Sequence, residues 1–391
     1  MMKQYKWLLI LLLGVVIAHS CTKPYNPPAV TTVPNYLVVE GTIVSDDSTI
    51  IQLSRTSKIN TNTNNPELGA KLTVESDQNI TYSLTELGRG MYATAPITLD
   101  PSRNYRLRIN TKDGKTYLSD FVPVKNSPAI DSIGYKTNAS GVQIYANTHD
   151  AAGSSKYYRY QYNETWQFHT KFVSADVSNG TKIVPRNADQ MINSCFGNAH
   201  SNDIVLASSA KLSQDIIYQT PITQIALTSE KIETKYSILL KQYVLTADGF
   251  NYWQQLKQNT EQLGSIFDPQ PSRLTGNIHN SADASEPVIG YISAGSVSQK
   301  RIFISNNQLP PSWLPTYPYT CEQDTALYCR STPSGCFNEV SSYLIPVSNT
   351  TYIPTTAIVS FGGTIIGYLY STPECVDCTI RGTKQTPSFW K

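Results

Sequence analysis

KYYRYQYNETWQFHTKF, residues 156–172, alternates over almost its whole length. Tyr158, Tyr160, Tyr162, Glu164, Trp166 and Phe168 share one parity, while Tyr157, Arg159, Gln161 and Asn163 share the other. A strand turns successive side chains to opposite faces, so this stretch reads as one long strand with an aromatic face. Such a face either packs a core or forms a platform for stacking a ligand. Core packing is the commoner use.

Shorter runs of the same kind lie upstream. YLVVEGTIV, TIIQLSR, AKLTVES, GMYATA, NYRLRINT and KTYLSDFV follow one another between residues 36 and 122, with turn residues between them. Asp113-Gly114 is a hairpin signal, and Gly41 inside the first run marks a bulge. This density of short strands predicts an Ig-like β-sandwich. PVKNSPAI, 123–130, carries two prolines and reads as a linker. Beyond it IDSIGYK and GVQIYANTH alternate again, PVIGYISAGSVSQKRIFI (287–304) reads as a hairpin, and YLIPV and TAIVSFGGTIIGYLY supply the last strands.

One segment breaks the period of two. TADGFNYWQQLKQNTEQLG, 246–264, offers Thr246 as an N-cap, a stripe of Phe250, Trp253, Leu256 and Leu263 with Tyr252 beside it, and Gly264 as a stop. It predicts an amphipathic helix near 247–263, packed on a sandwich. The fold class is therefore all-β, an N-terminal sandwich followed by a larger β-sandwich region carrying one helix.

The start of the chain predicts export. Lys3 and Lys6 precede the uncharged WLLILLLGVVIA, and Ala18-His19-Ser20 lead into Cys21. Twelve apolar residues are too few to span a bilayer, which takes about 20. They suit a secretory signal. Cys21 then stands in the lipobox position, to be lipidated as the first residue of the mature chain; a plain secretory signal with an unrelated Cys is the alternative. The following TKPYNPPAVTTVP reads as an extended tether. The expected organisation is a signal peptide at 1–20, a lipidated tether at 21–34, an N-terminal β-sandwich at 35–124 and a C-terminal β-rich domain at 125–391.

The whole chain has 31 Lys and Arg against 29 Asp and Glu, and losing Lys3 and Lys6 leaves it formally neutral. No basic stripe is present, which argues against a nucleic-acid partner. Charged residues make up 15%, below the roughly 25% of ordinary soluble domains, and Tyr alone numbers 25. Of seven Cys, lipid on Cys21 leaves Cys195, Cys321, Cys329, Cys336, Cys375 and Cys378. Six is an even set, and an oxidising compartment allows up to three disulfides among about 15 connectivities. Zinc at Cys375 and Cys378 is the rival reading, but no second ligand pair accompanies them.

Catalytic motifs are missing. His149, His169, His200 and His279 show no metalloprotease spacing, and neither a G-x-S-x-G elbow, a phosphate loop nor a calcium frame occurs. Hence no enzyme, cofactor or metal site is expected. His279 shares 264–280 with Asp268, Arg273 and Asn277, either as a His–Asp pair or as a hydrogen-bonded loop. LPPSWLPTYPYT, 309–320, carries four prolines with Trp313, Tyr317 and Tyr319, and is the candidate binding loop.

Gly69-Ala70 before KLTV, Gly90-Met91-Tyr92, and Tyr105, Leu107 and Ile109 before Asp113-Gly114 make the first sandwich resemble carboxypeptidase-regulatory-like, transthyretin-like domains. That likeness implies a scaffold. LVVEGTIVSDDSTIIQLSRT (37–56), YYRYQYNETW (157–166), the block from 239 to 280, EPVIGYISAGSVSQKRIFI (286–304) and PECVDCTIRGTKQTPSFW (373–390) resemble a Bacteroidota family of predicted lipoproteins of unknown function. Their genes often lie beside TonB-dependent outer-membrane receptors. The resemblance implies a lipid-anchored outer-membrane protein, a non-enzymatic accessory to such a receptor in ligand capture or uptake. An envelope structural, assembly or protein-interaction lipoprotein is the alternative. Thr22-Lys23-Pro24 follow Cys21 without the acidic residues of surface-exported lipoproteins, so the cell surface and the periplasmic face both stay open.

Overall fold

The computed structural model describes residues 35–57, 65–261, 274–346 and 351–391. The expected signal segment, Cys21, the expected tether, Asp268 and Arg273 lie outside the described residues. The first unit opens with β1 (Leu37–Val44), β2 (Ile50–Arg55), β3 (Lys71–Ser76), β4 (Thr81–Gly88), β5 (Met91–Ala93), β6 (Asn104–Asn110), β7 (Thr116–Ser119) and β8 (Val122–Lys125). Alternation sends Leu37, Val39, Ile43, Leu72, Val74, Tyr105, Leu107 and Ile109 into one core. Asp113-Gly114 turns β6 into β7 as expected, with Gly114 at φ +86°. Gly41 makes no bulge: β1 and β2 pair without a register shift from Leu37 to Thr42. Its small size serves close approach instead, since a Cβ there would lie 2.5 Å from the Ile50 carbonyl oxygen.

The second unit contains β9 (Ile130–Asn138), β10 (Gly141–His149), β11 (Tyr157–His169), β12 (Asp176–Ser178), β13 (Ile183–Pro185), β14 (Ser194–His200), β15 (Val205–Ser208), β16 (Ile216–Ala226) and β17 (Lys235–Val244), followed by helix α1 (Ala247–Glu261). β11 is central, pairing with β14 and β15 on one side and β17 on the other. Its aromatic parity faces the three-stranded sheet β16–β10–β9, and Tyr158, Tyr160 and Tyr162 are buried against Val142, Ile144 and Ala146. The aromatic face is thus a core.

After α1 the chain returns to the first unit. β18 (Ile278–Asn280) adds to β7, and β19 (Val288–Gly290) and β20 (Ala294–Gly295) both lie parallel to β1. β20 also pairs with β8, and β8 pairs with β6, so the pairing closes into a ring. Only β21 (Val297–Ser305) joins the second unit, antiparallel to β17. Residues 287–304 therefore form no hairpin, and the first unit does not end at 124. Ile278, Val288, Ile292 and Ala294 complete its core, because β1 would otherwise be an open edge above uncovered apolar side chains.

A third, smaller layer holds β22 (Asp324–Leu327), β23 (Arg330–Thr332), β24 (Gly335–Phe337), β25 (Ile353–Val359), β26 (Ile365–Ser371) and the short helix α2 (Pro373–Val376). β26 lies between β22 and β25. Disulfides join Cys321 to Cys375, Cys329 to Cys336, and Cys195 on β14 to Cys378. All six cysteines expected to pair do so. Among the described residues no helix is long and apolar enough to cross a membrane.

Candidate functional site

The outer faces of the two sandwiches confront one another across a cleft of about 730 Å³. One wall comes from the first unit. The same alternation that buries Val39 and Ile43 leaves Glu40 and Thr42 on the outer face of β1, opposite Gln52 and Ile50 of β2. Met91 extends this wall, and Ile50 and Met91 are large apolar side chains left exposed.

The other wall is the polar parity of β11 and its neighbours. Arg159, Tyr243 and Val297 form one cross-strand row, and Gln161, Lys241 and Gln299 the next. Trp253 of α1 closes one side, and the turn at 201–204 lies beside it. Several contacts hold the helix here. Phe250 meets Tyr157 with ring centroids 5.0 Å apart, Tyr252 meets Tyr291 at 5.4 Å, and Lys257 donates to the Ile204 carbonyl at 2.6 Å.

Arg159 is the unusual member. It is 6% exposed. Its guanidinium stacks between Trp253 at 4.1 Å and Tyr243 at 4.9 Å from the ring centroids. Among the described residues no carboxylate pairs with it. Its Nε has no protein hydrogen-bond partner, and Nη2 reaches only the neutral Thr42 hydroxyl, at 3.5 Å. Burial pushes the guanidinium down to about 10, opposed only by Tyr243. Burial also raises the Tyr243 phenol, with Arg159 acting against it, so the ring beside the cation stays neutral. Glu40, Asp47 and Asp203 are exposed acids around the same cleft. Neither His nor Cys lines it, so the arrangement suits holding a ligand by charge, amide and apolar contacts.

The residues singled out in the sequence lie elsewhere. Trp313 is half-buried against the second core. The Tyr317 hydroxyl donates to the Glu374 carbonyl at 3.0 Å, and the Arg381 guanidinium sits 5.4 Å from the Tyr317 ring and 5.5 Å from Tyr319. Arg381 in turn pairs with Glu230 at 2.6 Å. Tyr317 and Tyr319 thus hold the C-terminal segment, and none of the three aromatics lines the cleft. His279 sits on β18 with its Nδ1 3.8 Å from Asp120, both exposed. Arg159 itself was legible only as an off-core residue of β11, and an Arg on an otherwise aromatic strand was the signal.

No curated protein matches the chain. Residues 22–301 match a family model described as a domain of unknown function, DUF4249. The matched span takes in both walls of the cleft and stops within β21, ahead of the disulfide-stapled end.

Proposed function

The chain belongs to the DUF4249 family, and from that premise we propose that it is a lipid-anchored outer-membrane protein of Bacteroidota that captures a small ligand for a TonB-dependent receptor and performs no chemistry of its own. The cleft carries this reading. Two rigid sheet faces present cationic, amide and apolar groups towards one space, which is how a preformed ligand site is built. The apolar signal before Cys21 and the resemblance to predicted lipoproteins support the anchor. A tether of fourteen residues, 21–34, would hold the binding body at high effective concentration beside a membrane partner.

Two measurements test it. Cys21→Ala should move the protein from the membrane to the soluble envelope fraction, where the wild type stays membrane-bound. Affinity isolation of the tagged wild type from native membranes in mild detergent should bring a receptor β-barrel with it. A wild type that fractionates as soluble, or that repeatedly isolates alone, would count against the reading.

A further inference from the structure

We propose that the cleft is a site for short peptides, with the C-terminal carboxylate held by Arg159. The inference deepens the capture function and rests on the same cleft. A buried cation without an acidic partner is costly unless something compensates it. The two rings stacked on Arg159 recover part of that cost. They cover its faces and leave its edge to be satisfied by an anion, since the buried Nε has no protein acceptor and Nη2 reaches only the Thr42 hydroxyl, at 3.5 Å. Arginine presents those donors as a planar fork that matches a carboxylate. Lys241 lies one row along and makes no ion pair among the described residues, so it adds to the same polarity.

The rest of the lining narrows the class of ligand. Gln161 and Gln299 offer amide groups that both donate to and accept from peptide units, and Gln52, whose Nε2 donates to the Arg89 carbonyl at 2.8 Å, offers its amide oxygen. Ile50, Met91 and Val297 provide apolar contacts for side chains between them. The exposed acids Glu40, Asp47 and Asp203 disfavour a polyanion and suit a terminal ammonium. A ligand with one carboxylate, amide links, apolar side chains and a cationic end is a short peptide.

The test titrates the full-length protein in mild detergent with tri-alanine, tri-leucine and Gly-Leu-Tyr, each as free acid and as C-terminal amide. At least one free acid should bind, and its amide should bind about tenfold or more weakly. Arg159→Gln should abolish the difference between acid and amide, and Arg159→Lys should restore part of it. Equal binding of acid and amide to the wild type, or no binding of any peptide, overturns the proposal. So does discrimination that survives in a folded Arg159→Gln. The wild-type comparison needs no variant, so it decides even where Arg159→Gln fails to fold. Failure here alongside recovery of a receptor would leave the capture function standing with another ligand. Peptide binding without a receptor would do the reverse.

Discussion

Glu164 stands on the core face of β11 among tyrosines. It accepts from Lys231 at 2.6 Å and from the Tyr236 hydroxyl at 2.8 Å. Burial, helped by Glu164, holds the Tyr236 phenol well above its ordinary 10.0, so it remains a donor. Lys231→Met would leave a buried carboxylate without its cation and should cost about 3 kcal/mol in urea unfolding. Gly41→Ala should cost roughly 2 kcal/mol or more, since Gly41 sits at φ +151° and the new Cβ would press on the Ile50 backbone. Both are read from unfolding midpoints; a loss below about 0.5 kcal/mol, within the range of ordinary surface changes, would contradict the stated contact. The aromatic parity of β11 can be read from sequence because alternation is local. The role of Arg159 cannot, because Thr42 opposite it is 117 residues away in the chain.

At the scale of elements, α1 was legible and the returning strands were not. Thr246 accepts from the Gly249 N–H at 3.1 Å, the expected capping contact, and the helix follows from 247. Thr246→Ala should therefore cost about 1 kcal/mol and loosen Trp253 over Arg159. At Gly41 and over residues 287–304 the β pattern names the strand and leaves its partner open. Here β19 and β20 pair in parallel with a strand some 250 residues earlier. The returning segment also carries Glu286, which bonds Lys115 at 3.0 Å, Tyr117 at 2.7 Å and Asn280 at 2.6 Å. Burial works to raise its pKa, yet these donors together hold it below the ordinary 4.5. Glu75 between Arg108 and Arg106 is lowered in the same way against the pull of burial. Asp150 falls to about 2 from 3.8: burial raises it, but Ser155, Ser154 and two backbone N–H groups outweigh that. Carboxyls depressed in the folded state stabilise it fully above their unfolded values. That stability fades as pH drops through the folded ones. Urea midpoints should stay level down to about pH 5 and then decline below 4.5, towards 2. A midpoint that held constant to pH 3 would contradict these assignments.

For the whole molecule, the cysteine count indicated a stapled C-terminal end, but only the fold shows which residues meet. Cys195–Cys378 ties β14 to the chain end across 183 residues, where Trp390 packs on Phe196 with centroids 5.0 Å apart. Replacing both cysteines by Ala should cost about 2–4 kcal/mol, read as a lower thermal midpoint under non-reducing conditions. A fragment of residues 35–125 should show no cooperative unfolding, since it holds β1 to β8 without the β20 link between β1 and β8. The strand that completes the first sandwich has a temporal consequence as well. A chain made from its amino end presents eight strands early, but their ring stays open until residues 294 and 295 have emerged. By then every strand of the second unit except β21 is already available. The part made first is therefore among the last to close, and until it does, the apolar edge of β1 is the surface that an escorting chaperone would have to cover.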